Sequence, residues 1–154
     1  MLQAYFEPVT GDHLPGAEGG LPPDALGQFI IAYTTVGTFP DFEGARIALI
    51  GVGEERGSLG NEGCAAGPDR IRRELYKLKK HAQTLPIIDL GNLRIGHTVS
   101  DTYAAIATVV HELISHRVIP VILGGSQDLT YGHYGGYKLA EQIINIVSVD
   151  ARFD

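Results

Sequence analysis

The 154-residue sequence lacks several features that mark particular classes of protein. Its only cysteine is Cys64, so an internal disulfide is impossible, and this usage favours a reducing compartment. No apolar run approaches the ~18–20 residues that a transmembrane helix needs. The first residues have neither a cationic start nor an apolar stretch behind it, which predicts that there is no signal peptide. We therefore expect a cytoplasmic protein with no membrane partner.

Positive charge is also scarce. The 12 Lys and Arg residues are outnumbered by 18 Asp and Glu residues, which gives a net charge of −6. Because no basic stripe is present, neither nucleic acid nor an anionic membrane surface is an expected partner. The hydrophobic content of 44% excludes a disordered chain, and the length is about that of one domain, at ~100–200 residues each.

Two common ligand-binding patterns are missing. The sequence has no Gly-x-Gly-x-x-Gly and no Gly-Lys-Ser/Thr, so it contains no phosphate-binding loop. His111 and His116 lie five residues apart, not the four of a helical zinc pair, and we expect them on a solvated helix face or near its end. His133 falls on a helix that follows Gly125. None of these histidines stands at a strand end, where a metal ligand is expected.

The chain divides into two parts by composition. Residues 1–44 contain five of the eight prolines and many glycines, which predicts an irregular segment that wraps around the domain. Residues 26–36 fit either a short strand or a helix. From residue 45 to residue 154 apolar runs alternate with helical patterns.

This alternation predicts the architecture of residues 45–154. The predicted strands are 46–52, 85–90, 118–123 and 144–149, and the predicted helices are about 68–80, 98–116 and 129–142. The first helix is expected to bury Ile71, Leu75 and Leu78, and the second Ile106, Val109, Val110, Leu113 and Ile114. Strands that alternate with helices indicate a mainly parallel sheet covered on both faces, which is an α/β, three-layer αβα sandwich.

Ligands of open α/β sheets bind outside the carboxyl ends of the strands. After Gly124-Gly125, Gln127 and Asp128 either face a ligand crevice or form a tight turn in which Asp128 caps the next helix. After the last strand, Asp150 and Asp154 are either carboxylate ligands for a hard cation or simply a turn residue and the final residue. The residues alone leave both pairs of alternatives open.

The small-residue segment 63–68 precedes a helix. Its backbone could hold an anion at the helix start, although a tight entry turn explains the small residues equally well. No histidine lies near Cys64 in the sequence, so a half-buried structural thiol is favoured over a nucleophile.

Four segments together resemble the ureohydrolase family, which comprises arginase, agmatinase and formimidoylglutamase. GCAAGPDRIR at 63–72 resembles its Gly-Pro-x-x-Ile-Arg loop, and Asp89-Leu90-Gly91-Asn92 resembles its Asp-x-Gly-Asp segment. VILGGSQD at 121–128 resembles its strand ending in Gly-Gly-Asp-His or Gly-Gly-Gly-His, and VDARFD at 149–154 resembles its Asp-Ala-His-x-Asp. The order and intervals fit from about Arg46 to Asp154, and the likeness is greatest to the formimidoylglutamase branch.

The resemblance implies the N-terminal half of a ureohydrolase fold. That family hydrolyses C–N bonds of linear amidines with two manganese ions that activate a bridging water. By the resemblance, Asp150 and Asp154 match carboxylate ligands, Gln127 stands where one metal-binding His belongs, and Arg152 stands where a second His belongs. Asn92 replaces an Asp of the motif. The family's remaining ligands lie in an Asp-x-Asp segment on a later strand, beyond Asp154, and no catalytic residue is assigned here.

These departures predict that manganese binding is weak or absent. A glutamine amide is a poorer ligand than a neutral imidazole, and a guanidinium stays protonated and cannot coordinate. Two unit charges ~4 Å apart repel by about 4 kcal/mol at an effective dielectric of 20, and a divalent ion roughly doubles this. We therefore expect Arg152 to neutralise Asp150 and Asp154 in place of the metals.

Several interpretations follow for function and partners. The first is a family member with a lost or weakened metal site, and a hydrolase that uses only part of the site is a variant of it. The second is a non-catalytic structural or regulatory partner of a homologous subunit, and the third is a generic anion-binding α/β domain. Because an uncovered sheet edge invites pairing, we expect a homo-oligomer or association with the missing C-terminal half, with a small amidine as substrate if the site is active.

Overall fold

The computed structural model describes residues 2–11, 14 and 20–150. Its strands are β1 (Phe6–Glu7), β2 (Ile31–Ala32), β3 (Ile47–Val52), β4 (Ile87–Leu93) and β5 (Ile119–Gly124). Its helices are α1 (Gly67–Leu75), α2 (Val99–Ser115) and α3 (Leu129–Leu139), and single 3₁₀ turns cover Leu2–Tyr5, Leu26–Phe29 and Cys64–Ala66. The strand order is β1-β4-β3-β5, and β2 also pairs with β4.

The centre of the sheet is parallel. β3 pairs with β4 on one side and with β5 on the other, and both pairings are parallel. Five of the six residues of β3 are buried, which explains why its sequence is an almost continuous apolar run and does not alternate. The predicted parallel sheet is confirmed.

Helices cover both faces of this sheet. On one face Ala48, Ile50 and Val52 of β3 join a core with α2 residues such as Ile106 and Val110. On the other face Leu49 and Leu123 pack with Tyr76, which follows α1, and with Leu26. The fold is therefore an α/β three-layer sandwich, as the sequence predicts.

Helix α2 is the element whose sequence signals are the clearest. Thr98 caps its N-terminus: its side chain accepts the Asp101 N–H at 3.1 Å, and the Asp101 carboxylate accepts the Thr98 N–H at 2.8 Å. This reciprocal pair satisfies two backbone donors that the helix start leaves unpaired. Ile106, Val109, Val110 and Leu113 are buried as predicted, and Ile114 is partly buried.

The prediction for α1 is wrong in two respects. The helix ends at Leu75, not near residue 80. Its buried face consists of Pro68 and Arg72, whereas Ile71 remains 42% exposed and Leu78, beyond the helix end, 56% exposed. The reason is that the buried guanidinium of Arg72 has a buried carboxylate partner in β4, so a charged residue takes the inward position.

Strand β4 is displaced from its predicted position. It starts at Ile87 and continues to Leu93, so that Gly91 and Asn92 lie within the strand and not after it. Gly91 has φ of +87°, a conformation that glycine adopts without steric cost, and its Cα lies against the Glu7 carbonyl. β1 pairs antiparallel with Asn92 and Leu93 and so extends the strand past this irregular residue.

The predicted fourth strand at 144–149 is not a strand in the structure. Residues 142–150 form no helix and no ladder, and most of their side chains are exposed. Their apolar composition suits a strand, but no described strand lies beside them to supply hydrogen bonds. Asp150, predicted at a strand end, instead follows a segment without regular secondary structure.

Residues 1–44 contribute two short strands and two turns in their described part. Residues 26–36, for which the sequence fitted either a short strand or a helix, contain both a 3₁₀ turn and β2. An isolated β-bridge between Val9 and Thr34 joins two parts of this segment beside β4. None of the described helices combines the length and the apolar composition needed to cross a membrane.

Candidate functional site

The carboxyl ends of β3 and β5 meet at one place. The Gly125 N–H donates to the Val52 carbonyl at 3.3 Å, and the Ser126 N–H donates to the Glu54 carbonyl at 2.9 Å. A side chain at position 125 would collide with the carbonyl oxygens of both Val52 and Glu54. The glycine pair therefore lets the segment after β5 lie directly against the end of β3, which places Gln127 at this junction.

Gln127 and Asp150 are brought together. The Gln127 amide donates from Nε2 to Oδ2 of Asp150 over 3.4 Å, and both residues are exposed. This contact joins the end of β5 to residue 150, which lies 23 positions later in the chain. The other two residues predicted for the site, Arg152 and Asp154, lie outside the described residues.

Asp128 neither caps α3 nor faces the open crevice. It stands at the N-cap position, but no capping bond from its side chain is present. Instead the Tyr103 hydroxyl donates to Oδ2 of Asp128, and Oδ1 is buried and has no hydrogen-bond partner among the described residues. The bond to this carboxylate raises the pKa of Tyr103 to about 12. Asp128 thus links α3 to α2.

The buried carboxylate of Glu54 lies next to this junction. The sequence alone did not mark it as a site residue. Glu54 is 1% exposed and accepts hydrogen bonds from the Arg56 N–H and Nε, both at 2.9 Å, and from the Thr102 hydroxyl at 3.0 Å. The bonds from Arg56 lower the pKa of Glu54 to about 2 despite its burial. Arg56 also donates to the carbonyls of Gly96 and His97, so it ties the β3 loop to the start of α2.

A fully buried ion pair joins α1 to β4. Nε and Nη2 of Arg72 donate to the two carboxylate oxygens of Asp89 at 2.8 and 2.9 Å, and both side chains are fully buried. Nη1 reaches Oδ1 of Asn92 at 2.5 Å, and the Tyr76 hydroxyl donates to Asp89 at 3.0 Å. The Arg and Asp of the first two family-like segments are therefore partners that hold the fold together.

The helix start at residues 63–67 does not offer the anion site that was one alternative. Oε2 of Glu55 accepts the N–H groups of Gly63 at 2.9 Å and Ala65 at 3.2 Å. The chain's own carboxylate therefore occupies these donors. Gly67 has a separate steric role, because a Cβ there would collide with the Gly124 carbonyl. Cys64 is partly buried, as expected for a structural thiol.

His133 and Gln127 line the same cavity. His133 belongs to α3, as predicted, and lines this cavity of about 460 Å³ together with Gln127, Ser126 and β5 residues. Its Nε2 is buried and makes no hydrogen bond within the described part of the chain, and burial lowers the pKa of the imidazole. Of the two other histidines, His116 is exposed beyond the end of α2, as expected, whereas His111 is partly buried.

A metal centre at this place would need several ligating side chains around Gln127. No group of three His, Cys, Asp or Glu side chains suited to a metal ion occurs among residues 2–11, 14 and 20–150. What the described part of the site holds is one amide and one carboxylate, and the amide already donates to that carboxylate. These two residues do not by themselves fit a dinuclear metal cluster.

Comparisons with known proteins agree on one family. The family model "Arginase family" matches residues 45–154. The formimidoylglutamase of Streptococcus gordonii is 27% identical over an alignment that covers 100% of this chain and 50% of the relative. The chain thus spans about half the length of this curated relative.

Solved structures show the same fold. The formimidoylglutamase of Bacillus subtilis superposes with a TM-score of 0.64 at 20% identity, covering 82% of this chain and 41% of the other. The formiminoglutamase of Trypanosoma cruzi, solved with Mn²⁺, gives a TM-score of 0.60 at 20% identity, covering 75% and 40%. With the family model matched over residues 45–154, the chain belongs to the arginase family.

Proposed function

We propose that the junction at the end of β5 is an arginase-family site for the C–N bond of a linear amidine, in which metal binding has been lost or strongly weakened. Family membership and the likeness to formimidoylglutamases support the reaction class. The single observation that carries the loss of metal binding is the contact between the Gln127 amide and Asp150.

The chemistry of this pair opposes a shared cation. An imidazole presents a nitrogen lone pair to a metal, whereas Nε2 of glutamine presents only N–H donors and leaves the amide oxygen as the one possible, poorer ligand for a transition metal. With Nε2 directed at Asp150, the carboxylate accepts a hydrogen bond from the residue that would otherwise be its fellow ligand. Because these residues do not fit the manganese cluster, we derive no chemical step through it.

The resemblance adds a second reason at position 152. An arginine there carries a charge that no accessible pH removes, and it stands where the family has a neutral histidine. We propose that its guanidinium neutralises Asp150 and Asp154 and so takes over the electrostatic role of the metals. The neutralised carboxylates then have little affinity left for a divalent ion, and any amidine would bind without metal-activated water.

The test is to restore the family residues and measure both metal binding and hydrolysis. Gln127→His and Arg152→His, singly and together, are assayed for Mn²⁺ affinity by calorimetry and for release of ammonia or amide product from linear amidines. We expect the double variant to bind Mn²⁺ at least tenfold more tightly than the starting chain, with Arg152→His supplying most of the gain. His97→Gln, outside the junction, is the control and leaves Mn²⁺ affinity unchanged.

The outcomes separate two functions. Hydrolysis recovered by the double variant supports a decayed catalyst. Tighter metal binding without hydrolysis supports the second candidate, a non-catalytic partner of a homologous subunit. The edge of β5, which has no partner strand on its outer side among residues 2–11, 14 and 20–150, also favours this candidate. If the unmodified chain already binds manganese tightly and the substitutions change nothing, the proposed loss of the metal site is wrong.

A further inference from the structure

The backbone on each side of Gln127 is held by a contact with another element. Before it, the N–H and the hydroxyl of Ser126 both donate to the Glu54 carbonyl, at 2.9 and 3.1 Å. After it, the carboxylate of Asp128 accepts the hydroxyl of Tyr103, which belongs to α2. Gln127 itself is exposed. Because packing confines an exposed side chain little, the direction in which Gln127 points depends on how its backbone is held.

These two contacts belong to one hydrogen-bond network. Thr102, the neighbour of Tyr103 in α2, donates its hydroxyl to the Glu54 carboxylate at 3.0 Å. The loop after β3, the first half of α2 and the first turn of α3 are therefore connected to one another around Gln127. Such networks hold their members in one arrangement when most of the polar groups are paired.

Asp128 occupies a position at which an aspartate ordinarily caps a helix. A carboxylate there usually accepts a backbone N–H of the first turn. In this chain that bond is absent, because Oδ2 binds Tyr103 and Oδ1 is buried without a partner among the described residues. Loss of the cap costs the helix local stability, and proteins keep such local costs chiefly at functional sites.

The loop after β3 limits the movement of this carboxylate. A Cβ at Gly57 would collide with the Asp128 side chain, so the loop backbone lies directly against it. Only a residue without a side chain allows this approach. The Asp128 carboxylate therefore contacts both Gly57 and Tyr103 and has little room to turn.

The body of α3 is held on α2 by contacts that do not involve Asp128. A Cβ at Gly136 would collide with the Val110 side chain, and one at Gly132 would press against Ile106. Removal of the Tyr103 hydroxyl should therefore leave the helix in place and release only its first turn.

We propose that Tyr103 and Asp128 are positioning residues of the candidate site, because the bond between them fixes the first turn of α3 so that the Gln127 amide is directed at Asp150. Side chains of a site keep their geometry only when surrounding hydrogen bonds hold them. The relevance of the pair to amidines rests on the proposed function, whereas the direction of the Gln127 side chain is measured without substrate or metal.

The test follows the contact between Gln127 and Asp150 by NMR. The side-chain amide signal of Gln127 is identified by its absence in Gln127→Met. Asp150→Ala removes the acceptor and should shift this signal. In the Tyr103→Phe background the same substitution should shift it by less than half as much, because the amide no longer points at position 150. A general loss of stability would not produce this non-additivity between two separated sites.

The matched control is Tyr131→Phe, which removes the hydroxyl of a 72% exposed tyrosine whose ring lies tilted against that of Tyr103. In this background the shift caused by Asp150→Ala should be unchanged. Asp128→Asn keeps an oxygen that accepts the Tyr103 hydroxyl and should preserve the shift, whereas Asp128→Ala should reduce it as Tyr103→Phe does. All spectra are recorded well below the melting temperature of each variant.

Each outcome bears on the positioning role. A shift reduced in Tyr103→Phe and Asp128→Ala, with Tyr131→Phe unaffected, supports it. A full shift in Tyr103→Phe, or an equal reduction in Tyr131→Phe, overturns it and leaves the proposed function as it stands. If Asp150→Ala causes no shift in the unmodified chain, the pair does not form, and both the positioning role and the observation that carries the proposed function are wrong.

Discussion

The amide nitrogen of Gln127 lies 3.4 Å from Oδ2 of Asp150, which joins the end of β5 to a carboxylate 23 residues later in the chain. By the resemblance to the family, we expect position 127 to be that of a metal-binding histidine and position 150 that of a carboxylate ligand. Here they form a hydrogen bond between a neutral donor and a charged acceptor. The fold therefore brings the two residues together, and we propose that glutamine at position 127 gives this pair a chemistry different from that of a metal site.

The first prediction concerns acid stability and Glu54. Bonds from Arg56 lower its pKa from 4.5 to about 2. A carboxylate with a depressed folded-state pKa stabilises the fold above its unfolded pKa, and that contribution is lost as the pH falls from about 4.5 to about 2. Glu54→Gln should reduce the free energy of unfolding by about 1–3 kcal/mol at pH 7. The variant should also lose less stability than the unmodified chain as the pH falls from about 4.5 to about 2. Urea melts at pH 7, 4 and 2.5 measure both effects.

The control for Glu54 is Glu62→Gln, in the same loop but exposed. It should change the unfolding free energy by less than about 0.5 kcal/mol at any of these pH values. If Glu54→Gln loses as much stability on acidification as the unmodified chain does, protonation of Glu54 is not the cause of that loss.

The second prediction concerns the buried pair of Arg72 and Asp89. Arg72→Met removes the cation and leaves the Asp89 carboxylate buried without its main partner. Loss of one member of a buried pair costs about 3–5 kcal/mol, because the remaining charge is uncompensated. The free energy of unfolding in denaturant should fall by that amount.

A nearby exposed pair serves as the comparison. Lys77 and Glu74 form an ion pair in which both side chains are more than half exposed. Lys77→Met should cost no more than about 1 kcal/mol, as is usual for a surface pair. If Arg72→Met and Lys77→Met lowered the free energy of unfolding equally, burial of the Arg72–Asp89 pair would not explain its contribution to stability.

The third prediction concerns Tyr103 and Asp128. Tyr103→Phe removes the donor to a carboxylate whose other oxygen is already without a partner among the described residues, so stability should fall by about 1–3 kcal/mol. Tyr131→Phe, at a 72% exposed position whose ring lies tilted against that of Tyr103, keeps the ring contact and should cost less than about 0.5 kcal/mol.

The same bond has a spectroscopic consequence. An alkaline titration followed at the tyrosinate absorbance should contain one tyrosine with a midpoint near pH 12, and Tyr103→Phe should remove that step. Burial raises the pKa of Tyr76 further still, so its titration remains in both proteins. If the step near pH 12 persists in Tyr103→Phe, the hydroxyl of Tyr103 does not make the bond assigned to it.

Local patterns predicted the layers but not the sites of buried charge. The inward face of α2 follows from helical periodicity, and the cap at Thr98 and Asp101 follows from the residue types at the helix start. Both depend only on neighbours within four residues. The inward position of Arg72 depends on Asp89, which lies 17 residues away on another element. Periodicity scores Arg72 as a surface residue, and so the apolar stripe at Ile71 and Leu78 was assigned to the wrong side.

The same distinction applies to the candidate site. The rule for parallel sheets places the ends of β3 and β5 at one edge. The glycines at 124 and 125 predicted either a ligand crevice or a tight turn, and their contact with the end of β3 was not predicted. His133 and Glu54 were missed, since their relation to Gln127 depends on how α3 and the β3 loop pack. Residues 144–149 have the composition of a strand, but a strand needs a neighbour, and a local pattern does not report one.

The account depends most on the claim that this chain cannot hold the family's metal pair. The direct measurement is the metal content of the purified 154-residue protein after equilibration with excess Mn²⁺ and removal of free ions, with Asp150→Asn as a matched sample. We expect well under 0.1 manganese per chain in both. Two manganese ions per chain, lost in Asp150→Asn, would contradict the account.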